Sequence, residues 1–224
     1  DIGYPARKFV DFLHEAEQTI WQMLPLGCVG YGDSPYASYS AFAGNPMLIS
    51  LELLHEDGFI SKNELDSYPK LPTDHVDYKL VNSTKYAVLH KVCERFHDKA
   101  DTSIKREFEK FCMENSDWLD DFALFMALKN AHDGILWNNW DNTISTHNED
   151  AISTAKKSLH NDIVVHKLMQ FFFFRQWFEL KHIANDKDIL IMGDMPIFVA
   201  YNSADVWSHR ELFYIDESGA PTVV

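Results

Sequence analysis

One run of apolar residues restricts the fold of this chain more than any other feature. Residues 188–192 combine Ile, Leu and Met after a single aspartate and show no alternation of apolar and polar side chains. This pattern is typical of a strand in a parallel sheet, since other elements cover both faces of such a sheet. A similar short run, residues 20–26, follows the first helical pattern. We therefore predict two short buried strands that are separated by a long, mainly helical segment.

The periodicity of the rest of the chain is mostly helical. Apolar residues at helical spacing predict helices over residues 5–16, 51–56, 85–96, 103–113, 115–131 and 151–185, the last of which divides into two parts. Ser61 and Glu64 have the spacing of a capping box, which predicts one more short helix. Residues 66–84 and 132–150 are predicted to be irregular. This order is that of an α/β protein, and it fits the early strands of a (β/α)₈ TIM barrel with a helical insertion over about residues 47–150.

The charge of the chain excludes several kinds of partner. Its 224 residues include 20 Lys and Arg against 34 Asp and Glu, which gives a formal net charge of −14. Such an acidic surface disfavours binding to nucleic acids and to anionic membranes, whereas a neutral sugar is compatible with it. The sequence also contains no apolar stretch of the length that a membrane-spanning helix needs. We expect neither a nucleic acid nor a membrane as partner.

Cysteine and histidine usage gives no sign of a disulfide or a metal site. Cys28, Cys93 and Cys112 cannot form a closed set of disulfides and contain no CxxC pair, which indicates a reducing compartment and predicts a cytoplasmic protein. The 11 histidines are scattered, and no HExxH motif is present. The glycines near Cys28 have neither the order of a dinucleotide-binding loop nor the lysine of a phosphate loop. We expect no metal and no cofactor.

Two segments contain the candidate binding residues. Residues 27–46 form a loop rich in glycine and proline, and it carries Tyr31, Ser34 and Tyr36. Loop tyrosines can stack on a sugar ring and donate a hydrogen bond, although they also serve in packing. Asp194 follows the second strand, where barrel enzymes place active-site residues. Its carboxylate can bind sugar hydroxyls or simply cap the turn, and the sequence leaves both roles open.

Asp205 and Trp207 are further candidates because they also follow the second strand. Both can line the same mouth of a barrel, although packing is the alternative role of Trp207. Asp120 and Asp121 lie within a helical pattern, so we interpret them as a solvated helix edge rather than as a catalytic pair.

Several longer motifs, taken in order, resemble one protein family. They are WQMLPLG at 21–27, GYGDSPY at 30–36, SAFAGNP at 40–46, DFALFMALK at 121–129, FFRQW at 173–177, GDMPIFVA at 193–200, SADVW at 203–207 and PTVV at 221–224. Together they resemble the N-terminal part of the 4-α-glucanotransferases, the amylomaltases and plant disproportionating enzymes. The resemblance covers nearly the whole chain, although Asn202 and the pair Cys28-Val29 depart from the usual residues of the family.

The resemblance implies a retaining transfer of an α-1,4-glucan segment from a maltooligosaccharide donor to a glucose or glucan acceptor. It implies that Tyr36 and Ser34 lie near the bond that is cleaved, that Asp194 binds substrate, and that Tyr31 belongs to a peripheral glucan site. Retaining transfer needs two neighbouring carboxyl groups, and the family places these and a third, stabilising carboxylate on later strands. We therefore expect no catalytic residue in this chain, the three carboxylates lying C-terminal to Val224.

From this resemblance we expect residues 1–224 to be an incomplete catalytic domain that is cut at both ends and inactive on its own. Two alternatives remain open from the sequence, namely a stand-alone glucan-binding module and an inactive remnant. The residues that follow Val224 distinguish these possibilities, because only an enzyme must supply the three carboxylates.

Overall fold

The computed structural model describes residues 1–195 and 199–223, except for the side chain of Tyr31. The α-helices are α1 Tyr4–Glu15, α2 Leu51–Glu56, α3 Lys62–Asp66, α4 Tyr78–Glu94, α5 Phe96–Lys99, α6 Thr102–Glu114, α7 Ser116–Ala131, α8 Asn142–Ser145, α9 Glu149–Ser158, α10 His160–Asn185 and α11 Ala204–Ser208. The strands are β1 Ile20–Gln22 and β2 Leu190–Met192, and 3₁₀ turns cover Tyr31–Asp33, Pro46–Leu48, Trp137–Asn139 and Arg210–Leu212.

Strands β1 and β2 pair in parallel, with Ile20 opposite Leu190 and Gln22 opposite Met192. Both predicted strands are therefore present, although each has three residues and is shorter than its apolar run. The prediction that both strands are buried, and that β2 is buried on both faces, is wrong for the described residues, since Leu190 is 65% exposed and Ile20 is 54% exposed. Pairing joins strands edge to edge and leaves the faces open, and the sheet of the described residues has only these two strands.

The chain divides into two compact units, each built from three separate segments. Unit 1 comprises Asp1–Leu26, Gly44–Phe111 and Leu168–Met195, whereas unit 2 comprises Gly27–Ala43, Cys112–Lys167 and Pro196–Val224. Helix α10 contributes its first residues to unit 2 and the remainder to unit 1.

An aromatic cluster forms the core of unit 1. Phe59, Phe96 and Phe172 are almost wholly buried. The rings of Phe59 and Phe96 stack at a centroid distance of 5.9 Å, and Phe172 meets Phe59 edge to face at 5.0 Å, geometries that aromatic pairs prefer. Beside this cluster, Arg175 of α10 forms an ion pair with Asp57, directly after α2. Helix α10 is therefore held to unit 1 by both apolar and charged contacts.

Two buried glutamines of α10 bind the backbone of the segment that precedes α2. Gln170 accepts a hydrogen bond from Gly44 N at 2.8 Å and donates one to Gly44 O at 2.9 Å. Gln176 makes the same pair of bonds to Ser50, at 2.7 and 3.1 Å. Because buried backbone groups must find partners, these side-chain amides supply to Gly44 and Ser50 the hydrogen bonds that a neighbouring strand supplies in a sheet.

The core of unit 2 contains buried tryptophans. Trp137 and Trp207 are fully buried, and each indole N–H has a backbone acceptor, Tyr201 O at 2.9 Å and Ile144 O at 3.1 Å respectively. Of the two roles considered for Trp207, packing is therefore the one observed.

The helical predictions are largely confirmed, including the capping box of Ser61 and Glu64 and the division of residues 151–185 into α9 and α10. Two irregular segments were predicted too long. Helix α4 begins within residues 66–84 because the side chain of Asp77 caps Leu80 N at 2.9 Å. Residues 132–150 contain α8 and a 3₁₀ turn, which are too short to produce a helical periodicity.

Candidate functional site

Residues 27–43 of the candidate loop belong to unit 2, whereas residues 44–46 belong to unit 1. The part in unit 2 folds back on itself as a narrow hairpin. Val29 and Ser38 form an isolated antiparallel bridge, and Gly30 N donates to Ala37 O at 2.7 Å. A Cβ atom at Gly30 would lie 2.8 Å from Ala37 O, which is closer than real side chains approach. Glycine at this position therefore allows the two sides of the loop to meet, and the loop presents its tip beyond them.

The tip of the loop reverses direction through two residues with positive φ angles. Gly32 has a φ of 77° and Asp33 has a φ of 52°. Glycine adopts this conformation without strain, and aspartate is one of the few other residues that tolerate it. Ser34 returns to an extended conformation, with φ −79° and ψ 131°. A second turn, closed by the bond from Ala37 N to Ser34 O, then brings the chain back to Gly30.

Ser34 and Tyr36 lie together at this tip. The hydroxyl of Ser34 accepts a hydrogen bond from Tyr36 N at 3.3 Å, and Ala37 N donates to Ser34 O at 3.1 Å. The side chain of Tyr36 is 45% exposed, which leaves part of its ring accessible to a ligand. Tyr31 begins the 3₁₀ turn of the same tip, but its side chain lies outside the described part of the chain.

Asp194 belongs to unit 1, immediately after β2 and Gly193. Its carboxylate is exposed, and its Oδ1 accepts a hydrogen bond from Met195 N at 2.8 Å. This bond joins the side chain to the adjacent peptide, and the exposure keeps the carboxylate accessible to a ligand. The next motif residues, 196–198, lie outside the described part of the chain.

A cavity that no sequence motif indicates opens in unit 2 beside residues 40–42 of the candidate loop. It has a volume of about 390 Å³, and we call it the Phe42 cavity. The side chains that matter for its chemistry are those of Phe42, Trp118, Asp117, Asp121, Asp205 and Ser208. The sequence feature that could have indicated this cavity is Phe42, a large aromatic residue that lies between two alanines in a loop.

Asp205, considered above as part of a barrel mouth, lines the Phe42 cavity. Its Oδ2 accepts a hydrogen bond from Ala41 N at 3.1 Å, which ties helix α11 to the candidate loop within unit 2. Burial raises the pKa of the Asp205 carboxyl above its ordinary value, and the bond from Ala41 opposes part of that rise. The carboxylate therefore lies in a partly desolvated setting, where its hydrogen bonds are stronger than in water.

Neither a metal centre nor a membrane span is found in the residues that the structure describes. Over residues 1–195 and 199–223, no three His, Cys, Asp or Glu side chains are grouped closely enough to hold a metal ion. Within the same residues, no helix has both the length and the apolar character needed to cross a bilayer.

Comparison with known proteins gives a consistent result. The family model described as 4-alpha-glucanotransferase matches residues 1–222. The 4-alpha-glucanotransferase of Thermus thermophilus is 46% identical over 100% of this chain and 44% of its own length. That of Synechocystis is 44% identical over 96% of this chain and 43% of its own, and the chloroplastic/amyloplastic enzyme of Solanum tuberosum is 37% identical over 100% and 39%.

A solved structure agrees with these relatives. The amylomaltase of Streptococcus agalactiae in complex with acarbose superimposes with a TM-score of 0.91 at 40% identity, over 97% of this chain and 44% of that one. The present chain thus spans less than half the length of the curated relatives named above. Because the match extends over residues 1–222, the chain belongs to the 4-α-glucanotransferase family.

Proposed function

We propose that the full-length protein containing these residues is a 4-α-glucanotransferase that moves α-1,4-glucan segments from a maltooligosaccharide to a glucose or glucan acceptor. The observation that carries this proposal is the family match over residues 1–222. The test is disproportionation of maltotriose by the full-length protein, with glucose and longer maltooligosaccharides as the expected products. A purified full-length protein that leaves maltotriose unchanged would contradict the proposal.

In this proposal the chain supplies substrate contacts rather than the reacting carboxylates. The exposed ring of Tyr36 stacks on a sugar, and the adjacent hydroxyl of Ser34 offers a hydrogen bond. Asp194 accepts hydrogen bonds from sugar hydroxyls, and Tyr31 contributes to a peripheral glucan site. The nucleophile, the acid/base and the stabilising carboxylate come from residues beyond Val224.

The proposal extends to the fold and the location of the protein. The parallel pair β1 and β2 supports early strands of a (β/α)₈ barrel, with residues 47–150 as an approximate helical insertion. The three cysteine thiols, which form no disulfide, support a reducing compartment such as the cytoplasm. Relatives in plants bear the description chloroplastic/amyloplastic, and fractionation of the source cells distinguishes these locations.

Replacing Tyr36 with alanine is expected to lower kcat/KM for maltotriose by about tenfold, since the variant loses a stacking surface and a phenol. The change is measured in the full-length protein over a series of donor lengths. Tyr214→Ala is the matched control, because Tyr214 is also in unit 2 and is 78% exposed. Equal kinetics for Tyr36→Ala and the control would remove Tyr36 from the binding site.

The 224-residue chain alone is expected to show no transfer, because retaining chemistry requires a nucleophile and an acid/base that we place outside it. The measurement is maltotriose consumption by the purified chain, with the full-length protein as the positive control. Formation of glucose and maltopentaose by a preparation free of contaminating enzyme would show that the chain holds its own catalytic carboxylates.

A further inference from the structure

Two aromatic rings form one wall of the Phe42 cavity. Phe42 and Trp118 lie nearly parallel, with an interplanar angle of 23° and a centroid distance of 6.2 Å. Phe42 is 59% exposed even though it lies between Ala41 and the buried Ala43. Trp118 donates its indole N–H to Asn115 Oδ1 at 3.2 Å, which fixes the ring. A fixed tryptophan with an exposed phenylalanine beside it is the kind of surface on which the C–H face of a sugar ring stacks.

The other walls carry hydrogen-bonding groups. Asp117, Asp121 and Asp205 bring carboxylates to the cavity, and Ser208 brings a hydroxyl. The Oγ atom of Ser208 is buried and has no hydrogen-bond partner among the described residues. Buried hydroxyls without a partner are rare because they forgo a hydrogen bond that water would give them. A ligand with several hydroxyl groups would satisfy Ser208 and the carboxylates together.

The lining discriminates between classes of ligand. The described residues around the cavity include no lysine or arginine, and His209 is the only one of them that can carry a positive charge. A phosphate or another anion would therefore face three carboxylates with at most one cationic partner. The carboxylates do not form a grouping that could hold a metal ion within the described residues. The volume of about 390 Å³ lies at the lower end of the usual range for ligand sites. These features fit a small, neutral, polyhydroxylated ligand.

We infer that the Phe42 cavity binds a short stretch of α-1,4-glucan, with a glucose ring against Phe42 and Trp118 and its hydroxyls bound by the carboxylates and Ser208. The choice of glucan rests on the proposed function. Neither Tyr36 nor Ser34 lines this cavity, so the inference assigns glucan binding to residues that the resemblance did not mark.

Affinity electrophoresis of the full-length protein in gels containing amylopectin tests this inference without relying on turnover. Phe42→Ala is expected to weaken the apparent affinity for amylopectin by about tenfold, because it removes the exposed half of the stacking surface. Phe42→Tyr, which keeps an aromatic ring, is expected to retain the affinity. Phe12→Ala is the matched control, since Phe12 of α1 is 58% exposed and lies outside the cavity.

Disproportionation of maltotriose, measured on the same preparations, separates this inference from the proposed function. If the full-length protein is active and Phe42→Ala migrates through the amylopectin gel as slowly as the unchanged protein, the inference is wrong but the proposed function stands. The same result is expected if another segment of the full-length protein fills the cavity. If both Phe42→Ala and Phe42→Tyr lose their affinity for amylopectin, the inference is also contradicted, because an aromatic ring at this position is then not sufficient for binding. An inactive parent would refute the proposed function, while a tenfold effect specific to Phe42→Ala would still support a glucan site.

Discussion

Replacement of Gly44 by alanine is expected to lower the free energy of unfolding by about 3 kcal/mol, near the upper end for overpacked cores. A Cβ atom on Gly44 would lie 2.0 Å from Cδ1 of Phe173, and Phe173 is itself buried. The backbone cannot retreat easily, because Gln170 holds both the N–H and the C=O of Gly44. Urea-induced unfolding, followed by circular dichroism, measures the loss.

Gly193→Ala is the matched control for this experiment. A Cβ atom on Gly193 would have no neighbour within 4 Å, so a change of less than about 0.5 kcal/mol is expected there. In a double variant, Phe173→Leu should recover part of the loss caused by Gly44→Ala, because two residues in contact do not contribute additively. If Gly44→Ala and Gly193→Ala are equally stable, Gly44 does not pack against Phe173 as closely as described.

Replacement of Gln170 by leucine is expected to cost about 2–4 kcal/mol in the free energy of unfolding, because two buried backbone groups lose their partners at once. The leucine has a similar size, so the loss reports on hydrogen bonds more than on volume. Chemical denaturation of the variant gives the value.

Gln18→Leu provides the comparison, since Gln18 is exposed and its side chain donates a hydrogen bond to Ala16 O at 2.8 Å at the surface. Gln170→Leu should therefore be much less stable than Gln18→Leu. If the two variants unfold at the same denaturant concentration, the amide of Gln170 does not hold Gly44 in the way described.

Local signals predicted the local structure well. The capping box at Ser61 and Glu64 was visible because its residues are three positions apart. The cap at Asp77 was missed because the residues around it are rich in proline and polar side chains, which masked the start of α4. The predicted burial of β1 and β2 was wrong. An apolar run indicates that a strand is suited to burial, but it does not show which residues of the protein bury it.

The candidate site shows the same division. The glycine and proline content predicted the loop. The structure shows why glycine is needed at two positions, namely the close approach of Ala37 O to Gly30 and the positive φ angle of Gly32. The Phe42 cavity was not predicted, because Phe42 and Trp118 belong to segments that only the fold brings together. The roles of Tyr31, Ser34, Tyr36 and Asp194 in glucan binding remain predictions that the variants above address.

The glutamine bonds also set a time constraint on biosynthesis. Gln170 follows Gly44 by 126 positions in the sequence, and a ribosome adding about 5–20 residues per second needs about 6–25 s to cover that distance. During this interval the backbone groups of Gly44 and Ser50 lack the glutamine side chains that bind them and depend on water for these hydrogen bonds. Synthesis of helix α10 is therefore the step that completes the hydrogen bonds of Gly44 and Ser50, long after these two residues have been added to the chain.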